Sequence, residues 1–199
     1  MRSVCGFALL AAFVGGDPGA ACAAVMLGQV DDFQSGGTAF WTGGAGPIVV
    51  DEGGPRGAGD RYLKQSADGA GSSGKLSMYN REQWLGDYLA AGVTMIEMDL
   101  FNLAAQPLRI RIGFKADNAP GGSGYAHTAG FVLPLDNRWH HAVFQLKAQD
   151  FTVIGSPPSF ADMLSTNALE FRILHSNTPI LTGTNIVGMM GVDNIEPKT

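Results

Sequence analysis

The sequence predicts an all-β protein: a single antiparallel β-sandwich, jelly-roll-like, with one or two short helical turns. Three observations lead there. Apolar residues recur with a period of two along several segments. The 28 glycines and 10 prolines supply turns without a Gly-X-Y period, which excludes collagen. Past residue 23 there is no composition break, repeat or linker, so residues 24–199 read as one domain. Hydrophobic residues make up 45% and charged residues 16%, so a core is available and disorder is not expected. The net charge of −5 points away from nucleic acid and anionic membranes, which recruit basic patches.

The N-terminus comes first. Arg2 precedes an apolar run from Val4 to Gly16, Gly15, Gly16 and Pro18 break it, and Ala21-Cys22-Ala23 fits an A-x-A cleavage site. Residues 1–23 are therefore expected to be a signal peptide, too short to anchor in a bilayer, and the protein is expected to be exported (secreted, periplasmic or surface-associated). Lipidation at Cys22 is the alternative. Cleavage removes both cysteines, Cys5 and Cys22, so the exported fold is expected to stand without a disulfide.

The strands follow. Ile96, Met98 and Leu100 alternate with Glu97 and Asp99; Leu108, Ile110, Ile112 and Phe114 alternate with Arg109, Arg111, Gly113 and Lys115. Leu169 to Ile173 repeats the scheme. Each has one apolar and one polar face, as a half-solvated antiparallel sheet requires. Clusters such as Gly53-Gly54-Pro55, Asn118 to Gly124 and Ser156-Pro157-Pro158 punctuate the runs. Phe160 to Leu164 and Gln83 to Ala91 are the candidates for helical turns. A hairpin of Val93–Phe101 with Pro107–Ala116, turning near Ala104, sets Asp99 against Arg109 and Glu97 against Arg111. It also sets apolar residues against apolar ones, which makes it the expected pairing.

Several segments together resemble a known group. They are Val30-Asp31-Asp32-Phe33, Gly53-Gly54-Pro55 with Gly59-Asp60-Arg61-Tyr62-Leu63, and Asn80 to Tyr88. Ala91-Gly92-Val93 leading into Met98-Asp99-Leu100, and Gly191-Val192-Asp193-Asn194-Ile195, complete the set. The pattern resembles exported bacterial β-sandwich domains found in PEP-CTERM-associated proteins, distantly like laminin domain IV and carbohydrate-binding jelly rolls. The resemblance implies a secreted or surface role with extracellular polysaccharide. The terminal Asn194 to Thr199 departs from it in lacking the apolar sorting tail, so free secretion is the simpler expectation.

Candidate chemistry is sparse. There is no Gly-x-Ser-x-Gly elbow, His-Glu-x-x-His or P-loop, and the four histidines have no zinc spacing. Calcium needs only oxygen ligands. Carbohydrate-binding jelly rolls often hold one between the first and last strands, which implies Asp31, Asp32 and Asp193 here; the competing reading is that they cap strand ends. Sugar recognition uses an aromatic face against pyranose C–H groups, with amides and carboxylates on the hydroxyls. Trp41, Trp84, Tyr88, Tyr125 and Trp139 are the large rings considered. Trp84 and Tyr88, with Gln83 and Asp87, form the best set. Glu97, Asp99, Arg109 and Arg111, joined by Glu170 and Arg172, are expected to line one sheet face as a charge-matched network, poor in general acids. The reading is a secreted, non-catalytic module for extracellular glycan or an envelope component. A structural or adhesion domain with a protein partner, or a jelly-roll polysaccharide-active enzyme, are the alternatives.

Overall fold

The computed structural model describes residues 24–117 and 122–199; the expected signal peptide, with Cys5 and Cys22, lies outside the described residues. It is a sandwich of two antiparallel sheets. The first sheet contains β1 (Ile48–Val50), β2 (Tyr62–Asp68), β4 (Met95–Asn102), β8 (Trp139–Gln145) and β11 (Val187–Lys198), in the order β1-β2-β11-β4-β8. The second contains β3 (Ser77–Asn80), β5 (Leu108–Lys115), β6 (Gly124–His127), β9 (Phe151–Ile154) and β10 (Glu170–His175), in the order β3-β10-β5-β6-β9, with β7 (Phe131–Leu133) paired to β5. The expected all-β sandwich is the observed one. A short helix at Phe160–Asp162 is capped by Ser159, whose hydroxyl oxygen accepts from the Asp162 N–H at 3.2 Å. Gln83 to Ala91, the other candidate for helix, forms turns.

Period-two alternation decides what meets in the middle. Leu63, Ile96, Met98, Leu100, Met190 and Val192 from the first sheet are fully buried. So are Met78, Ile110, Ile112, Phe114, Phe171 and Ile173 from the second. These inner faces make one continuous core, the architecture of packed aligned sheets.

The expected β4–β5 hairpin does not form. β4 is flanked by β11 and β8, and β5 by β10 on one side and β6 and β7 on the other. The apolar residues of the two strands do share a core, but across the sandwich rather than side by side. Alternation satisfies both geometries equally, so it cannot choose between them. Buried Asn102 holds the crossover: its carbonyl accepts from Ala104 N–H at 2.9 Å, and its amide donates to Gln106 and Leu133 carbonyls at 3.0 and 3.2 Å. The expected charge ladder therefore splits. Glu97 and Asp99 lie on the outer face of one sheet, Arg109 and Arg111 on the outer face of the other.

Candidate functional site

The expected aromatic set is the place to begin. Trp84 and Tyr88 are both 0% exposed, so neither offers a ring face to a ligand. Trp84 stacks on Phe171 with centroids 5.1 Å apart, and Tyr88 meets Phe114 edge-on at 5.3 Å. Their polar atoms are turned inward too: Tyr88 donates its hydroxyl to the Trp84 carbonyl at 2.6 Å. Gln83 donates to the Ala39 carbonyl at 2.6 Å, and Asp87 accepts from Ala90 N–H at 2.8 Å within its own turn. Trp84 and Tyr88 are thus core residues, while the partly exposed Gln83 and Asp87 are engaged with backbone. A large apolar body with one polar tip is as well suited to a core as to a sugar site, and sequence does not separate the two.

The three aspartates also serve separate purposes. Asp31 pairs in a bridge with Ile195, and its Oδ2 accepts both indole N–H groups, Trp41 at 2.7 Å and Trp84 at 2.6 Å. Burial pushes its pKa up, while the hydrogen bonds from Trp84, Trp41 and Gln83 oppose that shift. Asp32 accepts from Gln34 N–H at 3.2 Å. Asp193 lies on β11 where the register shifts between Asp193 and Glu196. It accepts from the Asn194 N–H at 2.8 Å, and its Oδ2 is buried with no hydrogen-bond partner. Burial pushes the Asp193 carboxyl up to about 7. Its charged neighbours are Asp60, Arg56 and Asp99, not Asp31. Among the described residues no three His, Cys, Asp or Glu side chains converge to hold a metal ion. The proposed calcium ligands thus do not fit together as one set, since Asp31 is committed to the indoles.

The open chemistry lies on the outer face of the first sheet. Gly191, Phe101 and Trp139 stand in one cross-strand row on β11, β4 and β8. Trp139 meets Phe101 at 5.3 Å and Tyr62 edge to face at 5.3 Å, and all three rings are partly exposed. Gly191 makes this possible. A Cβ there would stand 3.0 Å from Trp139 Cη2 and 3.1 Å from Tyr62 Cδ2, so a side chain would push both rings back by a few tenths of an ångström, and glycine lets them close over the strand. The Trp139 indole is fixed by donating to the Gly53 carbonyl at 2.9 Å. One step along the same face, Asp99 hydrogen-bonds His141 at 3.0 Å and accepts from the Asn194 amide at 2.8 Å. Glu97 lies 3.6 Å from His141. The result is a strip of three held rings bordered by polar side chains.

Of these, sequence reasoning considered Trp139 and missed Tyr62 and Phe101. The missing signal was legible: Phe101 sits in phase with Glu97 and Asp99, an aromatic on the polar face of an alternating strand.

The outer face of the second sheet differs. Residues 176–186 fold across it. Arg111 is 2% exposed and donates to carbonyls of Ser176 at 3.0 Å, Asn177 at 3.1 Å and His127 at 2.6 Å, and also to Thr128. Leu181, 1% exposed, sits over Gly113, where a Cβ would be 2.9 Å from its methyl carbon. Its carbonyl accepts from Arg172 at 2.7 Å. What stays open is the β3 margin, where a cleft of about 590 Å³ runs beside Tyr79, Arg172, Lys75 and the Gly43–Gly46 turn.

No known protein-family model matches the sequence, and no curated protein matches it. Solved structures do resemble the fold. An exo-β-agarase superposes with a TM-score of 0.57 at 10% identity, covering 85% of this chain and 25% of that one. This chain thus corresponds to about a quarter of that enzyme's length. A non-crystalline-cellulose-specific carbohydrate-binding module, CBM28, superposes with a TM-score of 0.51 at 11% identity, covering 88% of this chain and 98% of that one. A family 11 carbohydrate-binding module from the Clostridium thermocellum cellulase Lic26A-Cel5E gives a TM-score of 0.46 at 19% identity over 86% and 93% of the two chains. The likeness to the agarase and CBM28 structures shows the fold, an antiparallel β-sandwich.

Proposed function

We propose that this protein is an exported, non-catalytic module that binds neutral extracellular polysaccharide on the outer face of its first sheet. The observation that carries the reading is the Tyr62–Trp139–Phe101 strip, three held and partly exposed rings on an otherwise polar face. Rings packed against one another and against Gly191 lose little freedom when a sugar stacks on them, so less binding energy goes to ordering. Asp99, Glu97 and His141 lie beside the rings at positions suited to sugar hydroxyls. The fold supports the reading, since the CBM28 module described as specific for non-crystalline cellulose spans nearly the same chain. A non-catalytic role is supported by the engagement of Asp99 with His141 and Asn194, which leaves it poorly placed as a general acid. Export rests on the leader-like segment at residues 1–23.

The test is affinity electrophoresis through gels containing neutral β-glucans or galactans. The wild type should be retarded by at least one polymer, and Trp139→Ala should lose most of that retardation, with the melting midpoint checked separately. A wild type retarded by no neutral polysaccharide, or a folded Trp139→Ala retarded as strongly as wild type, would overturn the proposal.

A further inference from the structure

We infer a second binding site, on the opposite sheet, for a saccharide carrying a carboxylate or sulfate. It is the cleft at the β3 margin. Tyr79 and Arg172 are cross-strand partners on β3 and β10, and both point away from the core. The guanidinium carbons of Arg81 and Arg172 lie 4.7 and 5.2 Å from the Tyr79 ring centroid. Both are braced underneath by Glu170, which is 0% exposed and lies 2.9 Å from Arg81, 2.5 Å from Arg172 and 3.8 Å from Lys115. Three cations thus share one buried carboxylate. Lys75, on the cleft wall, makes no ion pair among the described residues. The adjoining acid, Asp68, is held by the Ser73 hydroxyl at 2.6 Å and the Ala70 N–H at 3.0 Å. On a chain of net charge −5, this is a local excess of positive charge at an open cavity.

The rest of the wall suits a sugar. Thr42, Ser72 and Thr182 contribute hydroxyls, and the Gly43–Gly46 turn brings backbone to the rim. Gly44 has φ +52°, and a Cβ there would lie 2.3 Å from Gln65 Nε2 and 3.0 Å from the Lys75 carbonyl. The turn can lie this close to β3 only as glycine. Arg172 is preorganised, because Glu170 and the Leu181 carbonyl already hold three of its contacts. A fixed guanidinium and an ammonium without an ion pair among the described residues, lining one cleft, suit a planar carboxylate or a sulfate. The volume, about 590 Å³, is in the range of small-ligand sites.

The experiment is calorimetry at low salt with polygalacturonate as the carboxylate probe and a sulfated galactan as the sulfate probe. The wild type should bind at least one of them, and raising the salt to half-molar should weaken that binding at least tenfold. Lys75→Glu should reduce affinity at least tenfold and Lys75→Ala severalfold, while Trp139→Ala should leave it unchanged. If Trp139→Ala abolishes acidic and neutral binding alike, the acidic polymer occupies the first face and the second site is refuted. Binding of neither probe at low salt, or equal binding by wild type and both Lys75 variants, would refute it as well. Because Trp139 stands on the first sheet and Lys75 lines the cleft beside β3 of the second, failure of this site and failure of the neutral-glycan face are read separately.

Discussion

Replacing Asp193 by Asn should change how stability depends on pH, with a sign that the structure fixes. Asp193 is fully buried, has one oxygen with no partner, and is pushed up to about 7, chiefly by burial. In the unfolded chain the same carboxyl titrates near 4, its ordinary value. Between those two values the native state holds a proton that the unfolded state has released. Stability from this group is therefore fully present below about pH 4, falls as pH rises towards 7, and is level above it. At about 1.4 kcal/mol per pH unit, the full span is about 4 kcal/mol, and the stretch from pH 5 to 7 is about 2 kcal/mol because the slope halves as pH reaches 7. Asn keeps the shape and cannot ionise, so this slope should vanish. The assay is urea unfolding of wild type and Asp193→Asn at half-unit steps from pH 4.5 to 8.5, in EDTA and again in calcium. Half-buried His127 and buried His175, whose pKa values are lowered by desolvation, contribute stability that is lost as pH falls. They act equally in both proteins and cancel in the difference. The variant should gain on the wild type by a few kcal/mol between pH 5 and 8. Parallel curves would refute the reasoning, as would a wild type that calcium stabilises and EDTA destabilises at pH 8, since that would mean an ionised, cation-bound Asp193.

Two further outcomes follow from single sites. Asp31→Leu leaves the buried Trp41 and Trp84 indole N–H groups without their shared acceptor, and should cost about 2–4 kcal/mol in urea unfolding. Phe40 is 71% exposed with φ +61°, so Phe40→Gly removes little packing and relieves a left-handed residue; its melting midpoint should hold or rise.

Much of the architecture was readable in the chain. Alternation in Met95–Asn102 and Leu108–Lys115 gave two strands with the correct inner faces, because a period of two is a local property of the backbone. Pairing is not local. The same alternation serves strands lying side by side and strands facing across a core, and buried Asn102 with its three hydrogen bonds decides for the crossover. The site shows the same division. Trp84 and Trp139 are alike as residue types, but one stacks on Phe171 inside the core and the other lies across Gly191 on an open face. The cleft sets Lys75 and Tyr79 on one wall with Arg172 from a distant segment, so no spacing rule could reveal it. By itself the sequence determined the fold class, the strand faces and an expectation of export, since composition and period act over a few residues. Tertiary structure alone decided which rings face solvent and which charges share a wall, because exposure and proximity belong to the packed sheets.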